Sequence, residues 1–113
     1  MSSVWITVCN EDDLVCGSGV CALLETGGKS RQIALFRETP TGPVYAISNH
    51  DPIGDANVLS RGIIGSLGEK LVVASPLYKQ HFCLETGQCL EDASIKVPAW
   101  QTRIQDHNVQ IKA

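Results

Sequence analysis

Apolar residues in this chain arrive in short runs rich in β-branched side chains, and turn residues interrupt them roughly every eight to twelve positions. Trp5-Ile6-Thr7-Val8 opens, Val20–Leu24 runs into Gly27-Gly28, and Gln32–Arg37 and Val44–Ser48 flank Pro40-Thr41-Gly42-Pro43. Leu71–Ala74, His81–Leu84 and Gln88–Leu90 follow, the last two around Thr86-Gly87. Near the end Trp100, Thr102 and Ile104 alternate with polar neighbours, and a turn at Asp106-His107-Asn108 leads to Val109 and Ile111. Nowhere do apolar residues recur at the three-four spacing that buries one face of a helix. Period-two alternation with frequent turns specifies an all-β protein, an antiparallel sandwich or barrel.

At 113 residues the chain is expected to form one domain over residues 1–113 with a core of its own. Nine Lys and Arg against twelve Asp and Glu leave a net charge of −3, and the basic residues are scattered rather than striped. That excludes a nucleic-acid partner of the usual kind, since binding phosphates takes clustered cations. No apolar run approaches the ~20 residues of a membrane span. The start, MSSVWITVCNEDD, carries no export-signal pattern, so the expected compartment is the cytoplasm. Cys9, Cys16, Cys21, Cys83 and Cys89 are an odd count and are expected as reduced thiols.

One segment breaks the rhythm. Asn49–Lys70 holds four glycines and one proline between two good strands, a connection too long for a plain turn. Its apolar residues, Ile53, Val58, Leu59, Ile63, Ile64 and Leu67, should pack on something. The glycines of RGIIGSLG (61–68) lack the phosphate-loop pattern and are expected to supply turns with positive φ. Cys16 and Cys21 have a C-x4-C spacing, but position 24 is Leu and the ferredoxin continuation fails. His50 and His81 sit beside two loops and are expected to pack locally, and His107 to be solvated. Ser75 has no nucleophile-elbow motif around it, so hydrolytic chemistry is not indicated.

Two stretches carry a resemblance. AISNHDPIG (46–54) and VVASPLYKQHFCLETGQCL (72–90) resemble the two cluster-binding loops of the Rieske [2Fe-2S] fold, in strand, proline, phenylalanine and Thr-Gly turn. The likeness follows strand order over about residues 4–111 and is specific in 44–90. Rieske centres hold one iron by two thiolates and the other by two imidazoles. Carried onto this sequence, those places fall on Asp51, Ile53, Ser75 and Tyr78. Isoleucine has no donor atom and the hydroxyls suit iron poorly, so the resemblance implies a Rieske-like antiparallel β-barrel or sandwich without its cluster.

A Rieske-like chain of this length without ligands resembles the small subunits of assimilatory NAD(P)H-dependent nitrite reductases, whose tail its IKVPAWQTRIQDHNVQI also matches. Membership would imply a non-catalytic partner of a large subunit that carries FAD, an iron–sulfur cluster and sirohaem and reduces nitrite to ammonia. No cofactor is then expected on this chain. Pro52, Ile53, Leu77 and Tyr78 would either fill the space left by the cluster or, with the 53–67 loop, meet the large subunit. Two other readings remain open at this point. One is a Rieske-type electron carrier that binds an unusual cluster through Cys83 or Cys89 and His81. The other is a free-standing β adaptor unrelated to nitrite.

Overall fold

A computed structural model describes residues 4–112. Twelve strands follow in order: β1 Trp5–Asn10, β2 Ser18–Thr26, β3 Lys29–Arg37, β4 Val44–Ser48, β5 His50–Asp51, β6 Ala56–Asn57, β7 Ile63–Leu67, β8 Lys70–Ala74, β9 His81–Cys83, β10 Ala99–Trp100, β11 Thr102–Gln105 and β12 Asn108–Lys112. The only helical pieces among the described residues are single 3-10 turns at Glu11–Asp13 and Leu59–Arg61. All strand pairings are antiparallel. They give sheets in the orders β1-β12-β11, β10-β4-β3-β2, β5-β6 and β7-β8-β9.

The sheet containing β3 and β4 is buried on both faces, which explains why Ile33-Ala34-Leu35-Phe36 is continuously apolar rather than alternating. Ala34 and Phe36 face one way, into a cluster with Ile47, Leu59, Val73, Phe82 and Leu84. Ile33 and Leu35 face the other, into a cluster with Leu24, Val44, Ala46, Val109 and Ile111. Side chains on a strand change face at every residue, so this one strand serves two cores. The β1-β12-β11 sheet closes one core, and the β7-β8-β9 sheet closes the other.

Most expected strands are present, and the differences lie at 88–90 and in the long connection 49–70. Gln88–Leu90 forms no strand; it makes only the isolated bridges Phe82↔Cys89 and Gln88↔Lys96, because neighbouring residues pair with different segments and no ladder extends. Within 49–70, β7 is a strand the alternation did not reveal. Leu59 is fully buried and Ile53 and Ile64 pack on the core, but Ile63 and Leu67 are exposed. Of the glycines at 61–68 only Gly68 takes a positive φ; Gly62 instead lies so close to the Ala74 carbonyl that a Cβ would collide with it. All five cysteines are free thiols.

The Thr86-Gly87 turn behind the second loop depends on glycine twice over. Gly87 has φ +80, and a Cβ there would run into the Val97 carbonyl oxygen. Its N–H donates to Cys83 O at 2.7 Å and its carbonyl accepts from Val97 N at 2.9 Å. Gly87→Ala is therefore expected to lower stability by about 2–4 kcal/mol in chemical denaturation, from backbone strain plus overpacking. Gly65→Ala, on open strand surface, should stay within about 0.5 kcal/mol of the parent.

Candidate functional site

The two loops that the resemblance singled out do meet. Asp51 ends β5 and Ser75 follows β8; both are buried, at 0% and 1% exposure. The Ser75 hydroxyl donates to Asp51 Oδ2, joining the loops directly. Asp51 Oδ1 accepts the N–H groups of Ile53 at 2.8 Å and Gly54 at 3.2 Å, closing the first loop on itself. Ser75 N donates to Gln80 O at 2.9 Å and Lys79 N to Ser75 O at 3.0 Å, which closes the second. The Leu77 side chain covers Gly54 so tightly that a Cβ at 54 would collide with it. The two residues that the resemblance sets at thiolate places, Asp51 and Ser75, are thus an acceptor and a donor that satisfy one another.

The two imidazole places diverge. Ile53 is half-buried and packs on the core beneath the loops. Tyr78 is 63% exposed and Leu77 44%, with Pro52 also exposed beside them. Core filling therefore accounts for Ile53, while Leu77, Tyr78 and Pro52 present apolar surface to solvent.

The residues do not fit a [2Fe–2S] cluster. Both oxygens of Asp51 are engaged by protein donors, Ile53 offers no lone pair, and the Ser75 hydroxyl is committed to Asp51. Among the described residues no three His, Cys, Asp or Glu side chains come together at metal-binding spacing. The thiols near the second loop do not repair this. Cys89 faces the core with Phe82, whereas Cys83 is outside that cluster. Burial pushes the Cys83 thiol up, but the Thr86 hydroxyl, the N–H groups of Thr86 and Glu85 and the Lys70 charge bring it below the ordinary cysteine value. His81, the third member of that alternative set, points Nδ1 at Glu91 Oε2, 2.6 Å away, while Glu91 Oε1 accepts the His81 N–H at 2.7 Å. That backbone bond, opposed by burial and helped by the ring, holds the Glu91 carboxyl below the usual range.

His50 is also occupied, by Asn57 Oδ1 at 3.1 Å and Asp55 at 3.2 Å, so Ser75 has an acid beside it and no imidazole base. His107 is solvent-exposed as expected, 3.4 Å from Glu11. Asn49, which the alternation did not single out, anchors the first loop. Its buried amide donates to Gln32 Oε1 at 3.0 Å and Asn57 O at 3.2 Å, and its carbonyl accepts Ser60 N at 2.7 Å. An Asn opening a long glycine-containing connection was the available signal, because its side chain can replace backbone partners that a loop lacks.

Residues 4–112 match the Rieske-like [2Fe-2S] domain family. The chain is 46% identical over 110 residues to the nitrite reductase (NADH) small subunit of Salmonella typhimurium, covering 97% of this chain and 98% of that protein. The chain belongs to the nitrite reductase small-subunit family. The solution structure of a family member, the nitrite reductase [NAD(P)H] small subunit from Erwinia carotovora, is similar at a TM-score of 0.80 and 51% identity, covering 96% of this chain and 81% of that one. A 110-residue match at 37% identity also lies within the nitrite reductase [NAD(P)H] large subunit of Klebsiella oxytoca, covering 97% of this chain and 11% of that protein. The all-β, Rieske-like fold read from the two loops is the fold of this family.

Two outcomes follow from the donor arrangement. Protein purified anaerobically from iron-replete cells is expected to hold no stoichiometric iron or acid-labile sulfide, measured by elemental and sulfide analysis; one cluster per chain would contradict the geometry. Ser75→Ala should cost about 1.5–3 kcal/mol, the usual worth of a buried hydrogen bond to a charged group. Asp51→Ala should cost more, since it also strips the acceptor from the Ile53 and Gly54 amides, whose hydrogen exchange should accelerate. The double variant should be less destabilised than the sum of the singles, because the pair shares one bond.

Proposed function

We propose that residues 1–113 act as one Rieske-like unit, the accessory small subunit of a cytoplasmic NAD(P)H-dependent nitrite reductase that reduces nitrite to ammonia. In this reading a large subunit carries FAD, an iron–sulfur cluster and sirohaem and does all the chemistry. This chain binds that subunit and biases its conformation. The observation that carries the reading is the full-length match to nitrite reductase small subunits. The match inside a Klebsiella oxytoca large subunit adds to it, since there the domain and the rest of that subunit share one polypeptide. Covalent linkage supports a working partnership between the two parts.

The tip is the proposed contact. Leu77 and Tyr78 stand exposed on a loop closed by two backbone hydrogen bonds, so they are ordered before any partner arrives. Preordered aromatic and aliphatic side chains lose little entropy on docking and make effective anchors. Pro52 flanks them, and Ile53 supports the first loop from beneath. The half-buried position of Ile53 makes it a positioning residue within this contact.

Reconstitution tests the reading. NAD(P)H-dependent nitrite reduction by the isolated large subunit should rise when this chain is added and saturate at a fixed ratio. Leu77→Ser with Tyr78→Ser should leave thermal unfolding nearly unchanged but weaken the complex by about tenfold or more, the effect of losing an interface anchor. A large subunit equally active without the chain would refute the function. Unchanged affinity of the double variant would move the contact elsewhere.

A further inference from the structure

Beside the tip lies a groove of about 520 Å3 whose chemistry differs from that of Leu77 and Tyr78. Arg61 and, at the start of β7, Ile63 line it together with Ala74, Pro76, Lys79 and His81 from β8, the second loop and β9. Three of these side chains are basic, and no residue lining the groove is acidic. That concentration stands out in a chain with three more acidic than basic groups. Two carboxylates reach this region: Glu91, both of whose oxygens are engaged by His81, and the buried Asp51, which holds Ser75. Glu91 fixes the ring in place. Arg61 and Lys79 are exposed and, among the described residues, form no ion pair with a carboxylate.

The apolar part of the groove is equally open. Ile63 is 79% exposed, more than any other large apolar residue described. It begins β7, which pairs with β8 on one side and is the edge of its sheet. An exposed aliphatic residue with two cations lining the same groove suits a segment carrying carboxylates and an apolar side chain. Lys79 leaves the backbone at φ +63 from a turn held by its N–H to the Ser75 carbonyl, so its departure point is set in advance.

The geometry points to this groove as the seat of an acidic, partly apolar segment of the large subunit, with carboxylates between Arg61 and Lys79 and an apolar side chain against Ile63 and Pro76. This rests on the assembly proposed above and extends it. Ser75 and Pro76 belong both to the groove and to the loop bearing Leu77 and Tyr78, so one partner surface would cover the two together. The competing occupant is a second copy of this chain, whose Glu11-Asp12-Asp13 turn is acidic and largely exposed.

The test compares the intact chain with Arg61→Glu/Lys79→Asp, and with Lys29→Glu/Arg31→Glu as a control of equal charge change on β3. Aspartate is chosen at 79 because it tolerates the left-handed backbone better than most residues. Each is titrated calorimetrically against the purified large subunit at about 50 and about 500 mM salt, where screening differs strongly. The intact chain should bind more weakly at high salt. The groove variant should lose about tenfold or more in affinity at low salt and most of its salt dependence, and the control should lose less than about threefold. A smaller loss in the groove variant, an equal loss in the control, or salt-insensitive binding of the intact chain would overturn the inference while leaving the assembly intact. No binding by the intact chain would remove the assembly and the inference together. Sedimentation of the chain alone completes the test: self-association abolished by the groove variant assigns the groove to a second copy and overturns the inference.

Discussion

Asp51 and Ser75 stand on loops from different sheets, and the surface formed by those loops depends on the bond between them. β5 and β6 pair only with each other, while the Ser75–Gln80 loop joins β8 to β9 in another sheet. In a Rieske domain two thiolates on a shared iron would draw such loops together. Here a hydroxyl donates to a carboxyl, whose other oxygen holds two amides of its own loop. A buried hydrogen bond to a charged group contributes about 1.5–3 kcal/mol, against roughly 5–15 kcal/mol for a whole domain. That is enough to keep two short loops in register. It also explains why Leu77 can lie across Gly54: with the loops joined underneath, the apolar contact above is held in place.

The loops rest on a core that needs no metal to form. β3 sends Ala34 and Phe36 to the core below the tip and Ile33 and Leu35 to the core on the far side. Leu59, from the long connection, and Val73 and Phe82, from the strands bearing the second loop, complete the nearer core. Asn49 ties the start of the connection to β3 through Gln32. Removing iron from such a fold therefore removes one link between loops, and the Asp–Ser bond replaces it. Strand pairing and core burial remain as they were.

How much of this could be read beforehand follows from the range of the interactions. Strands such as β3, β4 and β12 were legible because alternation and turn residues are local signals. The two loops that meet were legible because Pro52, Pro76 and Thr86-Gly87 mark them at short range. The bond from Ser75 to Asp51 spans 24 positions, and the Glu91 hold on His81 spans 10, so neither leaves a local trace. The strand β7 was missed for a different reason: Ile63-Ile64-Gly65-Ser66-Leu67 buries almost none of its surface and so carries no clean period-two face. Gln88–Leu90 failed in the opposite sense. Its residues suit a strand, but Cys89 pairs with Phe82 and Gln88 with Lys96, so no ladder extends along either partner.

The same missed strand and the same preordered loop bear on how an accessory chain of the proposed kind can matter to a redox enzyme. A protein that neither carries electrons nor touches substrate can act only through binding free energy, and it shifts its partner only if it binds one state better than another. That requires a surface whose shape does not adapt equally to every state. A loop closed by two backbone hydrogen bonds and pinned at its base by a buried carboxyl supplies such a surface, whereas a mobile loop would follow the partner and discriminate little. Charge adds orientation. In an acidic chain, Arg61 and Lys79, which form no ion pair among the described residues and line one groove, would turn that groove toward a negative partner. At the places that the resemblance assigns to iron ligands, Asp51 and Ser75 thus keep what differential binding needs, two loops joined at the base of one tip.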